Sequence, residues 1–192
     1  MAKALKKQLT PEQQQEQLVR RIQTDPVWYA REVLQLKALP GEPTLEKNPS
    51  RSWELDLWQG DLLNAMADVI RKRRGLPTYL NHKGLSWFTV SAMHGPGKTF
   101  MAALCAHWFN TCFQGRVVVT APKFKQLTTR FMPEFRKIRD RAVPWYKALV
   151  GIDATKAEWC ENEDWCLMLE TARNPENLAG HHYRWLLIIV EE

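Results

Sequence analysis

The stretch at residues 87–108, WFTVSAMHGPGKTFMAALCAHW, constrains the fold more than any other part of the sequence. The β-branched and aromatic run at 87–90 predicts a short strand. Gly95, Pro96 and Gly97 then predict a tight turn, and an apolar helix follows Lys98 and Thr99. Strand, glycine-rich turn, Lys-Thr and helix in this order are typical of a phosphate-binding loop, in which backbone N–H groups and the helix amino terminus face an anion.

In such a loop Lys98 reaches the β- and γ-phosphates of a nucleotide, and the Thr99 hydroxyl holds Mg²⁺. The first glycine of the usual pattern is replaced by Ala92. The stretch alone therefore leaves open a simpler interpretation, in which it is a helix amino terminus with a flexible entry.

The composition is that of an ordinary globular protein large enough for one sizeable core. The 192 residues are 45% hydrophobic and 25% charged, and the nine tryptophans are expected to anchor that core or to stack on flat ligands. The formal net charge of +6 suits an anionic partner, although a solvated surface explains it equally well. No apolar run approaches the 18 residues of a membrane span, and no signal peptide is recognisable, so we expect a cytoplasmic protein without a membrane partner.

The four cysteines are expected to be reduced. Cys105 and Cys112 lie on one predicted helix, too far apart for a disulfide. Cys160 and Cys166 flank a predicted hairpin turn, and with His181 and His182 they suggest a zinc site, but their spacing fits no usual zinc pattern.

Three helices are predicted in the amino-terminal third. Thr10, Pro11 and Gln13 form a capping box for the first, and Asp25-Pro26 starts a second that continues to residues 40–43. The third follows residues 51–59, presents apolar residues on one face, and ends in the basic run 71–74, which we interpret as helix capping rather than a DNA site.

The remainder alternates strands and helices. Residues 116–121 predict a buried strand parallel to 87–90, with Gly115 ending the helix before it, and residues 155–160 and 165–170 predict a hairpin. Between them, the helical region 122–141, which Pro133 should kink or split, is the most basic part of the chain. Its charges fit a solvated helix face or a surface that contacts the DNA backbone.

The last segment, WLLIIVEE, predicts a central strand that is covered on both faces and ends in Glu191 and Glu192. Ligands bind at the carboxyl ends of strands in open α/β sheets, and buried carboxylates there need a cation such as Mg²⁺. The loop and these acids, about 90 residues apart with a strand between them, have the layout of an additional-strand P-loop ATPase. We assign Glu191 to the metal and Glu192 to the attacking water, with Lys98 as the other catalytic residue.

At this point the chain resembles the large terminase subunit of tailed bacteriophages, a motor that packages DNA into procapsids. Trp58-Gln59 resembles that family's adenine-recognising segment, and SAMHGPGKT resembles its Walker A loop. Thr120-Ala121-Pro122 resembles its next motif, and LLIIVEE, preceded by Gly180-His181, resembles its Walker B strand.

The resemblance implies a three-layer, RecA-like α/β/α ATPase that uses ATP and Mg²⁺ in the cytoplasm of an infected or lysogenic bacterial host. Its partners would be double-stranded DNA, a small terminase subunit, a portal protein and further copies in a ring. Gln59 would read the adenine, and Trp53 or Trp58 would stack nearby or pack in the core. The nucleotide-binding residues implied are Trp58, Gln59, His94, Gly95, Pro96, Gly97, Lys98 and Thr99, with Thr99 and Glu191 on the metal.

The same resemblance predicts a helical lead-in at 1–50 and an ATPase domain at 51–192 that is incomplete at its carboxyl end, without the family's nuclease domain. A further strand of the family would lie between the strand ending in Glu191 and the strand at 87–90, so we expect a gap in the sheet. We accordingly expect the chain to bind nucleotide weakly and hydrolyse little by itself.

Three other interpretations stay open at the level of sequence. A superfamily 2 helicase also carries a glutamine segment, a Thr-Ala-Pro motif and an acidic pair. A small-molecule kinase shares the phosphate loop but seldom a double acid. A DNA-binding assembly module with a degenerate loop would explain Ala92 and the glutamate at position 191.

Overall fold

The structure, a computed structural model, describes residues 10–44, 46–47, 52–80, 88–91, 97–171 and 183–191. Its helices are α1 Pro11–Thr24, α2 Pro26–Trp28, α3 Leu57–Arg73, α4 Lys98–Phe113, α5 Phe124–Gln126, α6 Met132–Arg141 and α7 Pro144–Leu149. The π-helical turns Tyr29–Val33 and Leu127–Phe131 continue α2 and α5. The strands are β1 Arg116–Ala121, β2 Val150–Ile152, β3 Lys156–Trp159, β4 Asn162–Thr171 and β5 Leu186–Val190.

The strands form one sheet in the order β2-β3-β4-β1-β5. Strand β1 runs parallel to both β4 and β5, whereas β3 is antiparallel to its two neighbours, β2 and β4. The predicted α/β class is therefore confirmed. Thr120 lies level with Glu170 of β4 and Val190 of β5, so the carboxyl ends of three parallel strands meet at one edge of the sheet.

One face of this sheet carries the main core. Val117, Val119 and Ala121 of β1 pack in the same cluster of buried residues as the side chains of α4 and α6. Ile189 of β5 is in register with Val119. Since side chains alternate along a strand, Glu191 follows on the face that α4 covers.

The predicted starts of the first two helices are confirmed. The Thr10 hydroxyl accepts from the Gln13 N–H, and the Gln13 amide oxygen accepts from the Thr10 N–H, which completes the capping box. The Asp25 carboxylate accepts from the Trp28 N–H at the start of α2, and Pro26 takes the first helical position. Both starts follow from local side-chain chemistry.

The basic run at the end of α3 is engaged in the fold. Arg71 donates to Asp68, to Asn64 and to the backbone oxygen of Thr24. The Arg73 guanidinium lies 4.7 Å from the ring centre of Trp185, and Arg74 donates to the Gln23 side chain. These contacts favour the structural interpretation of the run over a DNA site.

A buried polar network fixes the carboxyl half of α4. His107 Nε2 lies 3.0 Å from the backbone oxygen of Phe135, which can only accept, so Nε2 carries the proton and Nδ1 accepts from the Tyr146 hydroxyl at 2.9 Å. Thr111 Oγ1 lies 2.9 Å from the Tyr29 hydroxyl. Burial lowers the pKa of His107 to about 3, so the ring is neutral at physiological pH.

The predicted strand at 87–90 is wrong for the residues that the structure describes there. Residues 88–90 belong to no strand, and Phe88 and Val90 are both partly exposed. Trp87 lies outside the described residues. β-branched and aromatic residues favour strands only where a neighbouring strand and a core face are available, and here β1 pairs with β4 and β5 instead.

The last strand is also not the central strand that its apolar run predicts. Within the described part of the chain β5 pairs only with β1, at one end of the strand order. Ile188 is 43% exposed and Val190 is 71% exposed. Ile188 and Val190 alternate with Ile189, so they lie on the face opposite the core, and this face is not covered by the described residues.

Three smaller boundaries differ from or refine the predictions. The second helical segment ends at Val33, well before residues 40–43, and Gln35 adopts a positive φ of 57°. Gln114, with φ of 50°, takes the left-handed position that ends α4, whereas a Cβ at Gly115 would lie 2.4 Å from the Trp185 backbone oxygen. Pro133 does not split its helix, because the π-helical turn Leu127–Phe131 leads directly into α6 without a non-helical residue between them, so of the predicted kink or split the split is wrong.

The predicted hairpin is confirmed as β3 and β4, which pair antiparallel with Trp159 opposite Asn162. The two residues between them, Cys160 and Glu161, both have φ of 54°. All four cysteines lie within the described residues and are free thiols, as expected. None of the helices in the described ranges is both long and apolar enough to span a bilayer.

Candidate nucleotide site

The amino end of α4 combines several features that suit an anion. Gly97 is the N-cap with φ of 79°, a conformation that L side chains rarely adopt, and it offers no side chain to cap the helix. A Cβ at this position would also lie 3.1 Å from Gln59 Nε2. Lys98 and Thr99 form the first turn and are half-buried. Helix N–H groups that no cap occupies, together with a lysine, can receive a phosphate oxygen.

The end of β5 meets this helix terminus. The Glu191 N–H donates to the backbone oxygen of Thr120 at 2.8 Å, which extends the pairing of β5 with β1 by one residue. This places the half-buried Glu191 side chain beside α4, where Thr99 Oγ1 donates to Glu191 Oε2 at 3.0 Å. Two residues 92 positions apart in the sequence are thereby joined at the carboxyl edge of the sheet.

The two side chains fit a magnesium ion. Both supply hard oxygen atoms, which Mg²⁺ prefers. Adjacent ligands of an octahedral Mg²⁺, each about 2.1 Å from the metal, lie about 3 Å apart. Thr99 Oγ1 and Glu191 Oε2 have this separation, at 3.0 Å. In the described ranges no group of three or more His, Cys, Asp and Glu side chains could hold a metal.

Gln59 lies close to this site but already has a structural role. It is 6% exposed, and its Oε1 accepts from the Asp56 N–H in the capping box that starts α3. Its Nε2 faces Gly97, as the close approach there indicates. An amide oxygen can accept a second hydrogen bond, so Gln59 is compatible with both helix capping and recognition of a base.

The two tryptophans near Gln59 contribute to packing. Trp58 and Trp53 are partly buried against the core. The Arg141 guanidinium lies 4.7 Å from the ring centre of Trp53. A face occupied by arginine is not available to a base, which favours core packing for Trp53. Trp58 packs against the same core, and its role in stacking on a base stays a prediction.

Several predicted site residues lie outside the described residues. These are His94, Gly95, Pro96 and Glu192, together with Ala92, His181 and His182. Their assigned roles, the use of ATP and Mg²⁺, and the division of the chain at residue 50 stay predictions. The structure does bring Gly97, Lys98, Thr99, Gln59 and Glu191 into the same region, at and around the start of α4.

Sequence reasoning did not identify Thr120 as the residue whose backbone oxygen holds Glu191, or His107 as the centre of the polar network that anchors α4. The sequence did contain a signal for the role of His107. His107 and Thr111 are polar residues four positions apart on an otherwise apolar helix, and this pattern indicates a shared buried partner, which the structure shows to be the Tyr146 hydroxyl.

Comparison with curated proteins finds similarity to a protein described as "Probable terminase, large subunit" from Enterobacteria phage P7. The two are 31% identical over 114 residues, which cover 56% of this chain and 23% of that protein. The chain thus matches less than a quarter of its relative's length. No family model matches the chain, and no solved structure matches it. Over this part of its length the chain is similar to a phage large terminase.

Proposed function

We propose that the chain forms the ATP-hydrolysing part of a phage large terminase, a motor that drives double-stranded DNA into procapsids. The observation that carries the proposal is the 3.0 Å contact between Thr99 Oγ1 and Glu191 Oε2. It joins the residue after the phosphate-loop lysine to the first acid at the end of an apolar strand, which a Mg²⁺–nucleotide site requires. The similarity to the phage P7 protein supports the same assignment.

Each residue then has a distinct task. Lys98 and the N–H groups at the start of α4 bind the β- and γ-phosphates, and Gln59 contributes an amide donor for the adenine. Thr99 and Glu191 hold Mg²⁺, which when bound neutralises charge that develops on the phosphate oxygens. Glu192 accepts a proton from the attacking water, and the half-buried setting of Thr99 strengthens the electrostatic interactions.

The wider assembly follows from the same proposal. Double-stranded DNA is the transported polymer, and a small terminase subunit, a portal protein and further copies of the chain in a ring are its protein partners. The expected location is the cytoplasm of the infected or lysogenic bacterial host.

The decisive experiment measures ATP turnover of the intact protein, with and without duplex DNA, across a Mg²⁺ titration. Lys98→Ala and Glu192→Gln should each lower turnover by about 100-fold or more, since each removes a group that acts on the transferred phosphoryl or the water. Thr99→Val and Glu191→Gln should raise the Mg²⁺ concentration needed for half-maximal turnover, and combining them should give less than the sum of the two effects.

Matched controls are Thr78→Val and Glu16→Gln, which make the same chemical changes at exposed positions. Turnover that is unchanged in both Lys98→Ala and Glu192→Gln would overturn the ATPase assignment. The chain would then be better described as a DNA-binding assembly module with a degenerate phosphate loop.

A further inference from the structure

The basic region at 122–141 divides into two parts that differ in what their charges contact. In the second part the basic side chains are held by the protein. The contacts are Arg136 to the Asp153 backbone oxygen, Lys137 to Glu134, Arg139 to Asp140, and Arg141 to Glu42 and to the backbone oxygens of Gln35 and Lys37. Arg141 also covers the Trp53 ring. These residues stabilise the fold, and their charge is largely compensated.

The first part, residues 123–130, is different. Lys123, Lys125 and Arg130 are exposed, and none of their side chains has a hydrogen-bond or ion-pair partner in the part of the chain that the structure describes. No acidic residue occurs from Pro122 to Pro133. Phe124, between the two lysines, is 39% exposed. We call Lys123, Phe124, Lys125 and Arg130 the basic patch.

The backbone beneath the basic patch is well fixed. Leu127 and Phe131 of the π-helical turn are fully buried in the core. The Thr128 and Thr129 hydroxyls both donate to the Lys125 backbone oxygen. Charges on an anchored backbone bind a partner with a smaller cost in conformational entropy than charges on a mobile loop.

The basic patch also lies beside the candidate nucleotide site. It begins three residues after Thr120, whose backbone oxygen accepts from the Glu191 N–H at 2.8 Å. The patch and Glu191 therefore share the carboxyl edge of the parallel strands β1 and β5. A partner bound to the patch would therefore lie close to the backbone that positions Glu191.

We propose that Lys123, Lys125 and Arg130 bind the phosphate backbone of double-stranded DNA at the carboxyl edge of the sheet. The choice of DNA among polyanions rests on the proposed function, whereas the identity of the binding residues rests on their exposure and on the uncompensated charge of the patch. Three exposed cations on a stretch that contains no acidic residue fit a uniform line of phosphates, and an acidic protein surface is the alternative that the test must exclude.

The test compares two triple variants of the chain. The patch variant carries Lys123→Ala, Lys125→Ala and Arg130→Ala. The control variant carries Arg20→Ala, Arg31→Ala and Lys72→Ala, which are equally exposed basic residues on other elements. Each variant lowers the formal net charge by three, from +6 to +3, so a difference between them reports position rather than total charge.

Binding of a fluorescein-labelled DNA duplex is followed by fluorescence anisotropy across a salt series, without nucleotide. In the patch variant the slope of log K against log salt should flatten by about 2.7, or 0.9 for each phosphate that the protein no longer neutralises, and the affinity in moderate salt should fall at least about tenfold. The control variant should keep a slope close to that of the unmodified chain. Far-UV circular dichroism checks that both variants are folded.

Equal slopes in the two variants would overturn the proposal. So would a patch variant that binds the duplex normally but binds polyglutamate more weakly, since the occupant would then be an acidic protein. The result is independent of ATP hydrolysis. If the protein hydrolyses ATP but the two triple variants bind DNA equally, only this inference is wrong. If the patch variant loses DNA binding but Lys98→Ala and Glu192→Gln leave ATP turnover unchanged, only the proposed function is wrong.

Discussion

The two ends of helix α4 differ in burial and in the kind of contact they make. At the amino end Lys98 and Thr99 are half-buried, and the Thr99 side chain reaches across to Glu191. In the carboxyl half His107, Trp108 and Asn110 have almost no exposed surface, and the polar atoms of His107 and Trp108 bond to other elements of the core.

Under the proposed function, this difference separates the residues that would bind the nucleotide from the residues that hold them in place. A phosphate or a metal needs access, and groups at the amino end keep it. The carboxyl half gives that end a fixed position relative to the sheet. Substitutions in the carboxyl half should therefore act on stability, and substitutions at the amino end should act on ligand binding.

The largest effect is expected at Trp108, which is 1% exposed and donates from Nε1 to the Ile22 backbone oxygen at 2.9 Å. Trp108→Ala removes a large buried ring and leaves a cavity, so the free energy of unfolding should fall by about 3–5 kcal/mol. Urea denaturation measures it. Trp145→Ala on α7, where the side chain is 45% exposed, is the matched control and should be destabilised much less. Equal destabilisation of the two variants would contradict the interpretation that the carboxyl half of α4 anchors the helix in the core.

Next in size is a pH effect from His107. Burial holds its folded-state pKa at about 3, against an ordinary value of 6.5. The depressed pKa means that the unfolded chain binds the proton more readily, so stability is fully present above pH 6.5 and is lost as the pH falls toward 3. Between pH 7.5 and 5.5 this group should remove about 1.4 kcal/mol.

The measurement is urea denaturation at both pH values on the unmodified chain and on His107→Gln. Glutamine keeps a donor and an acceptor but does not titrate, so the difference between the two chains isolates His107 from the other histidines. An identical pH dependence in both would show that the ring is not held neutral by the core.

A smaller effect is expected at the turn of the β3–β4 hairpin, which is not part of α4. Cys160 and Glu161 both adopt φ of 54°. Asn-Gly is the preferred pair for such a turn, so Cys160→Asn with Glu161→Gly should raise the free energy of unfolding by about 0.5–1 kcal/mol. Glu163→Gly in β4, where the backbone is not left-handed, should lower it instead. A destabilised Asn-Gly variant would contradict the assigned turn.

The sequence predicted those parts of the fold that are set by neighbouring residues. The caps at Thr10 and Asp25, the hairpin and the buried α4 follow from side-chain chemistry within a few positions. The exposed edge of β5 was not predictable in the same way, because an apolar run does not reveal which strands will lie beside it. Nor were the π-helical turns, which depend on how two helical segments fit the same core.

For the site, the pairing of Thr99 with Glu191 was expected from the order of two motifs rather than from any local rule. Local rules did not predict that Gln59 would use its amide oxygen to cap α3, or that Arg141 would cover Trp53. They also did not predict the partners of Arg136 and Arg141, since Asp153 and Glu42 lie on other parts of the chain.

The smallest effect on stability, and the sharpest test of the comparison, is expected from Thr99→Val. Valine keeps the shape of the side chain, and the half-buried Glu191 carboxylate can accept from water in place of the Thr99 hydroxyl, so the free energy of unfolding should change by about 0.5 kcal/mol or less. Urea denaturation checks this beside Trp108→Ala. A decrease of several kcal/mol would make the Thr99–Glu191 contact a structural clamp between α4 and β5, and its geometry would then no longer argue for a metal site. A near-zero change leaves ligand binding as the reason for bringing these two oxygens together.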